Sequence, residues 1–182
     1  MLLNWRLKKA MEYTIEITQY CENDCSYCST NATPLGKHLP METVLCFLEQ
    51  IGRNDRINIS GGEPLAHPDF YKILRACQGK SDNVWVYTNA LNKVKYNAQV
   101  LTDGICVEAN YCLYPDCFST ACNIPDGIKV NLLKFVQKGR GKGIKEKDFH
   151  TSGNMHHDCS GCQHKLLQAD GQIAKAPCQK NY

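Results

Sequence analysis

Cys21, Cys25 and Cys28 fall within one short stretch, spaced C-x3-C-x2-C. Thiolates are soft ligands that suit iron–sulfur clusters and zinc. Three thiolates leaving one loop can hold a [4Fe-4S] cluster and leave one iron without a protein ligand, a place for a small molecule to bind. Zinc is the rival occupant. Structural zinc takes four ligands, usually in close pairs, and no fourth ligand adjoins this trio.

The second chemical stretch is Ser60-Gly61-Gly62-Glu63-Pro64. Glycines let a ligand come close to the backbone, and a carboxylate balances an ammonium. The bland reading of the two glycines is an ordinary strand-to-helix turn. The triad followed by GGEP, each after a predicted strand, resembles the radical S-adenosylmethionine (radical SAM) enzymes. The resemblance implies that Cys21, Cys25 and Cys28 hold the cluster and that its open iron takes the amino and carboxylate groups of the SAM methionine. Gly61, Gly62 and Glu63, with Ser60 in the same motif, then meet the methionine amino group. Tyr27 stands where the family often has an aromatic beside the adenine. The implied activity is reductive cleavage of SAM to methionine and a 5′-deoxyadenosyl radical, which abstracts hydrogen from a substrate. A reductant such as flavodoxin or ferredoxin is implied with it, and no catalytic side chain beyond the cluster and SAM site.

These motifs need strands to carry them. Tyr13, Ile15 and Ile17 alternate as a strand before the cysteines, and Arg56 to Ile59 precede GGEP. Further strands are expected at Val84–Tyr87, Ile105–Glu108 and Ile128–Leu133. Between them, Val44, Phe47, Leu48 and Ile51 form an apolar helical stripe opened by Pro40 and closed by Gly52. Phe70, Ile73, Leu74 and Cys77 form another, opened by Pro68 and stopped near Gly79. Cys46 lies off its stripe as a spectator, and Cys77 reads as a core residue. Strand–helix alternation predicts an α/β fold with a mainly parallel sheet.

The strands share a parity. Ile15, Ile57, Ile59, Val84, Val86, Ile105, Val107, Ile128 and Val130 fall on one face. Glu16, Asn58, Ser60, Trp85, Tyr87, Cys106, Glu108, Lys129 and Asn131 fall on the other. A parallel sheet covered on both faces reads apolar on both. The pattern instead predicts a curved sheet with helices outside and a polar concave side, or a sheet with one solvated face. A partial TIM-like (β/α) barrel is the architecture that the resemblance implies.

Tyr87-Thr88-Asn89-Ala90 resembles the family's T-N-G turn, with Ala in place of Gly. Asn89 keeps the inward parity and is a candidate SAM or substrate contact. Asn110, expected just past the fourth strand, and Asn131 are weaker candidates by the same geometry, since ligands collect at the carboxyl ends of parallel strands. Lys129 either meets an anionic group or pairs with Glu108 or Glu16.

The remaining cysteines are less legible. Cys112, Cys117 and Cys122 are spaced C-x4-C-x4-C beside Cys106, which matches no named motif but could hold another cluster or donate a fourth ligand elsewhere. Residues 137–158 turn basic and glycine-rich around Gly139-Arg140-Gly141-Lys142-Gly143, which reads as a mobile loop, with a phosphate or nucleic-acid contact as the sharper alternative. Cys159, Cys162 and Cys178 then bracket an Asp170-Gly171 hairpin turn. This stretch resembles the twitch (half-SPASM) auxiliary-cluster region of radical SAM enzymes, including the MoaA-like molybdenum-cofactor cyclases. The resemblance implies a second iron–sulfur cluster. The longer gap, and Gln163-His164-Lys165 where those cyclases are arginine-rich, argue against carrying over their GTP substrate. A zinc knuckle using His164, His156 or His157 is the rival.

Composition sets the frame. The 182 residues, 43% hydrophobic and with net charge +3, suit a compact domain and give no argument for nucleic acid by charge alone. No run approaches the ~20 apolar residues of a membrane span. Twelve cysteines without a signal-peptide pattern point to metal in a reducing compartment, hence the cytoplasm. The expected organisation is a truncated partial barrel over residues 1–136 and a basic loop with an auxiliary-cluster region over 137–182. A trimmed barrel has an exposed mouth, which suits a peptide, protein, nucleotide or RNA substrate, or one presented by a partner. An iron–sulfur electron carrier and a zinc-bearing RNA-binding module are the competing classes. GGEP disfavours the first and the cysteine spacing the second.

Overall fold

The computed structural model describes residues 9–26, 28–89, 108–112, 129–133, 139–141 and 164–174. The first βα units follow the sequence closely. Strand β1 (Glu12–Glu16) leads through the cysteine loop to helix α1 (Met41–Leu48). Strand β2 (Arg56–Ser60) leads through GGEP to helix α2 (Phe70–Lys80) and strand β3 (Asn83–Val86). α1 starts after Pro40, whose extended ψ of 141° blocks any earlier turn. It ends three residues before the expected limit, yet Ile51 still reaches the core.

β1, β2 and β3 are parallel neighbours in register, with Thr14 opposite Asn58 and Asn58 opposite Trp85. One face is the core. Ile15, Ile57, Ile59, Val44, Ile73 and Cys77 are fully buried there, and Phe47 meets Tyr13 edge-on at 6.0 Å. Burying each aliphatic side chain contributes about 1.5–3 kcal/mol.

The opposite face is polar, as the parity predicts, and it is not left to solvent. Thr14, Glu16 and Asn58 are all buried. Asn58 Nδ2 donates to Glu12 Oε1 at 2.7 Å, and Arg56 Nε donates to Asn58 Oδ1 at 2.9 Å. Arg56 also donates to the Tyr87 hydroxyl at 3.1 Å and lies 4.4 Å from the centre of the Trp85 ring. A buried amide of this kind is tolerated only when its donors and acceptors are used.

The sequence marks a hairpin at Asp170-Gly171 but not its place in the sheet. β6 (Lys165–Leu167) pairs parallel to β1 on its free side, and β7 (Ile173–Ala174) returns antiparallel, giving the order β3-β2-β1-β6-β7. Leu166 falls on the polar face and is fully buried. The Asp170-Gly171 turn between them is the expected hairpin, closed by Gln168 N–H to the Gln172 carbonyl at 2.8 Å.

β4 (Glu108–Cys112) and β5 (Lys129–Leu133) form a separate two-stranded parallel pair among the described residues. Asn110 lies inside β4 and not beyond the strand, a correction to the expected boundary. Its register partner is Asn131, and Glu108 is the partner of Lys129. No helix among the described residues is long and apolar enough to cross a membrane.

Candidate functional site

The site is built at the carboxyl ends of β1, β2 and β3. Beyond β1 the chain doubles back. Gln19 N–H donates to the Lys37 carbonyl at 2.8 Å, Cys21 N–H to Thr33 at 3.0 Å, and Leu39 N–H to Ile17 at 2.8 Å. These bonds close the loop that bears the cysteines. Asp24 and Asn31 take left-handed φ of 41° and 55°, the region that Asp and Asn tolerate best after glycine.

Cys21, Cys25 and Cys28 are thiols outside any disulfide, each partly buried. Burial pushes the Cys21 thiol upward in pKa. A backbone hydrogen bond at Asn23 works against this, while Glu22, Cys25 and Glu63 add to the rise. Bound iron reverses that balance, since a coordinating thiol is deprotonated. Three thiols on one loop are a donor set that fits an iron–sulfur cluster. Among the described residues no three metal-binding side chains gather around one point as a single ion requires. A cluster makes no such demand, because each thiolate caps a different iron.

The GGEP loop lies directly against this loop. Gly62 N–H donates to the Thr18 carbonyl at 2.7 Å and Glu63 N–H to the Tyr20 carbonyl at 2.8 Å. Gly61 has φ of +139°, and a Cβ on it would overlap the Thr18 carbonyl oxygen. A Cβ on Gly62 would overlap that of Tyr20. The two glycines are therefore required by the approach of the two backbones.

Glu63 also has partners within the protein. Its side chain is fully buried, and its carboxylate is taken up by neighbours. Oε1 accepts from Leu65 N–H at 2.9 Å and from the Thr88 hydroxyl at 2.8 Å, and Oε2 accepts from Asn89 N–H at 2.8 Å. The carboxylate thus ties GGEP to the Thr88-Asn89 turn, and three of its roughly four acceptor positions are filled without an ammonium. Tyr87 N–H donates to the Ile59 carbonyl at 2.9 Å, which extends the β2–β3 ladder into that turn.

Behind the loops, Thr18 Oγ1 accepts from Tyr20 N–H at 2.9 Å and sits 2.8 Å from His38 Nδ1. His67 accepts from Asp69 N–H at Nδ1 and lies 2.9 Å from the Leu39 carbonyl at Nε2, so that nitrogen carries the proton and the ring is neutral. His38 and His67 meet edge-on at 4.9 Å. Burial lowers the His38 pKa.

The other sequence candidates divide. Ser60 ends β2, with its carbonyl accepting from Ile17 N–H at 3.0 Å. Cys46 is exposed and Cys77 fully buried, with its thiol pushed up to about 12 by burial. Tyr27, Ala90, Cys106, Cys117, Cys122, His156, His157, Cys159, Cys162 and Cys178 lie outside the described residues. His164 is described, and its Nε2 lies 2.7 Å from Thr14 Oγ1.

Sequence reasoning missed the part played by Arg140. The described part of the basic stretch, Gly139–Gly141, is a 3-10 turn seated on the cysteine loop, which corrects the expectation of a free solvated segment there. Only a cation between small residues signalled it, and the same composition marks a linker.

Parallel strands that carry a cysteine triad and a glycine loop, joined at their carboxyl ends, define a βα-type cofactor site. A family model described as the Radical SAM superfamily matches residues 15–112, from β1 to the end of β4. The chain belongs to the radical SAM superfamily. Its members are enzymes that use a [4Fe-4S] cluster and SAM. No curated protein matches the chain.

Proposed function

We propose that the protein is a radical SAM enzyme whose cluster is held by Cys21, Cys25 and Cys28. The observation that carries this reading is the pair of main-chain bonds from Gly62 and Glu63 to Thr18 and Tyr20. They hold the glycine loop against the segment that leads into the cysteines. A cluster bound there supplies the electron that cleaves SAM to methionine and a 5′-deoxyadenosyl radical, which takes hydrogen from the substrate.

The chain's own residues bind and orient. Gly61 and Gly62 let the loop close onto the Thr18 and Tyr20 backbone, and the loop so held meets the methionine amino group. Glu63 fixes that backbone and is itself a partner for the amino group, and Asn89, held through its amide, contacts SAM or substrate in this reading. Tyr27 sits in the sequence position of an adenine contact. In this reading the polar face carrying Glu16, Asn58 and Tyr87 lines the concave side of a partial barrel over residues 1–136, with Asn110 and Asn131 as further candidate contacts.

Residues 137–182 form a twitch-like auxiliary region in this reading, with Cys159, Cys162 and Cys178 holding a second iron–sulfur cluster. What supports it is the spacing of the three cysteines and the hairpin of β6 and β7 between the second and third. The substrate is a peptide, protein or RNA, or a molecule presented by a partner, reached through the open side of the short barrel. A flavodoxin- or ferredoxin-type protein supplies electrons in a cytoplasmic setting.

The test is anaerobic reconstitution with iron and sulfide, followed by SAM and dithionite. Formation of 5′-deoxyadenosine supports the reading. Iron loading without any SAM cleavage would leave an electron carrier, and zinc alone a binding module.

A further inference from the structure

We propose that Arg140 is the positioning residue of the cluster site. It is a strap from a distant part of the chain that sets the shape of the cysteine loop and places a fixed positive charge beside it. The proposal rests on the cluster reading for its electrostatic part only.

Arg140 reaches the loop with backbone and side chain together. Its N–H donates to the Cys28 carbonyl at 2.9 Å. Its Nε donates to the Cys25 carbonyl at 2.8 Å, and Nη2 to the Ala32 carbonyl at 2.8 Å. Nη2 also lies 3.2 Å from Asp24 Oδ1. Two of the three carbonyls belong to cysteines of the triad, and the third closes the far side of the loop.

A guanidinium is suited to this task. It offers several donors in one rigid plane and stays charged at any working pH. The Arg140 side chain is only 27% exposed, so these bonds are partly shielded from water. A cysteine loop with left-handed residues at Asp24 and Asn31 does not hold its shape by local preference alone. Carbonyl groups turned toward one cation give it that shape from outside.

The approach depends on Gly139. Its φ is +56°, and a Cβ there would overlap the Cys28 carbonyl oxygen. Gly139 therefore sits in a left-handed conformation against the loop backbone, and only glycine does so without strain. Glycine at position 139 is what lets Arg140 come this close to the loop.

Two effects follow. The strap fixes where the Cys25 and Cys28 thiols stand before any metal binds. Its charge favours the more negative, reduced form of a cluster held by those thiols.

The experiment uses the full chain and compares wild type with R140K, R140Q, G139A and D24N. First, metal-free protein is treated with iodoacetamide, and labelling of Cys25 and Cys28 is followed by mass spectrometry with exposed Cys46 as internal control. Hydrogen bonds to charged groups contribute about 1.5–3 kcal/mol, so R140Q and G139A should label Cys25 and Cys28 about tenfold faster or more, with Cys46 unchanged. D24N should differ little, since it leaves the carbonyl bonds in place. Second, the reduction potential and electron paramagnetic resonance spectrum of the reconstituted cluster are recorded. R140Q should be harder to reduce, and R140K should keep the wild-type potential while showing an altered spectrum. Wild-type labelling rates in both R140Q and G139A overturn the strap. An unchanged potential in R140Q overturns the charge effect. If wild type itself takes up no iron, the cluster reading fails, and the labelling still decides the strap.

Discussion

Oε2 of Glu63 lies 2.8 Å from the backbone nitrogen of Asn89, and the same carboxylate receives the Thr88 hydroxyl at 2.8 Å. A single buried anion thus joins the turns after β2 and β3. Glu63→Gln keeps the shape and replaces one acceptor oxygen by a donor, which then faces an N–H or the Thr88 hydroxyl. The expected cost is about 1–3 kcal/mol of stability, read as a lower urea midpoint of the metal-free protein. SAM cleavage should fall with it, because the glycine loop loses its anchor.

Cys25→Ala is expected to remove about four irons per chain and all 5′-deoxyadenosine formation, since three thiolates are needed around one cluster. Iron analysis beside chromatography of the SAM products checks this. Continued SAM cleavage would show that the ligand set is wrong.

For the C-terminal triad, Cys162→Ala should lower iron by about one cluster and still permit slow SAM cleavage. Substrate turnover should fail. Zinc in place of the second cluster would return that region to a structural role.

Cys77 gives a pH test. Its thiol is pushed from 9.0 up to about 12 by burial. At pH 8 the folded protein should therefore hide it from iodoacetamide by roughly a thousandfold relative to the unfolded chain. Because its folded pKa is raised, the stabilising contribution is complete below pH 9.0 and declines as pH rises toward 12. Cys77→Ala should flatten the fall in stability across that window, measured by denaturant midpoints at pH 8 to 10.5.

Asn58 bonds Glu12 and Arg56 on the polar face. Asn58→Ala should cost about 1–3 kcal/mol. In a double-mutant cycle Asn58 and Glu12 should show coupling, whereas Asn58 and Cys46 should be additive.

Local pattern made much of this legible. Ile15, Ile57 and Ile59 announced their face by alternation, and the stripes of Val44, Phe47, Ile73 and Cys77 announced the covering helices. Gly61 and Gly62 were legible because close backbone approach needs glycine. What was not legible depends on contacts distant in sequence. The bonds from Thr88 and Asn89 to Glu63 were not legible, because nothing in its sequence neighbourhood reveals that they return to it. Lys165–Leu167 is too short to show a period, and its strand character comes from the open edge of β1. Arg140 was hidden by glycines that also mark loose chain.

The pairing of β6 with β1 sets an order of events during synthesis. Thr14 meets His164 across 150 residues, so at ribosomal rates of about 5–20 residues per second the first strand waits roughly 8–30 s for its neighbour. Throughout that interval its outer edge offers unpaired amides and carbonyls to any passing extended chain. The cysteines of the first loop emerge soon after their strand, while the segment that shields that strand emerges about 150 residues later. A nascent or prematurely terminated chain therefore presents a sticky edge together with exposed thiols.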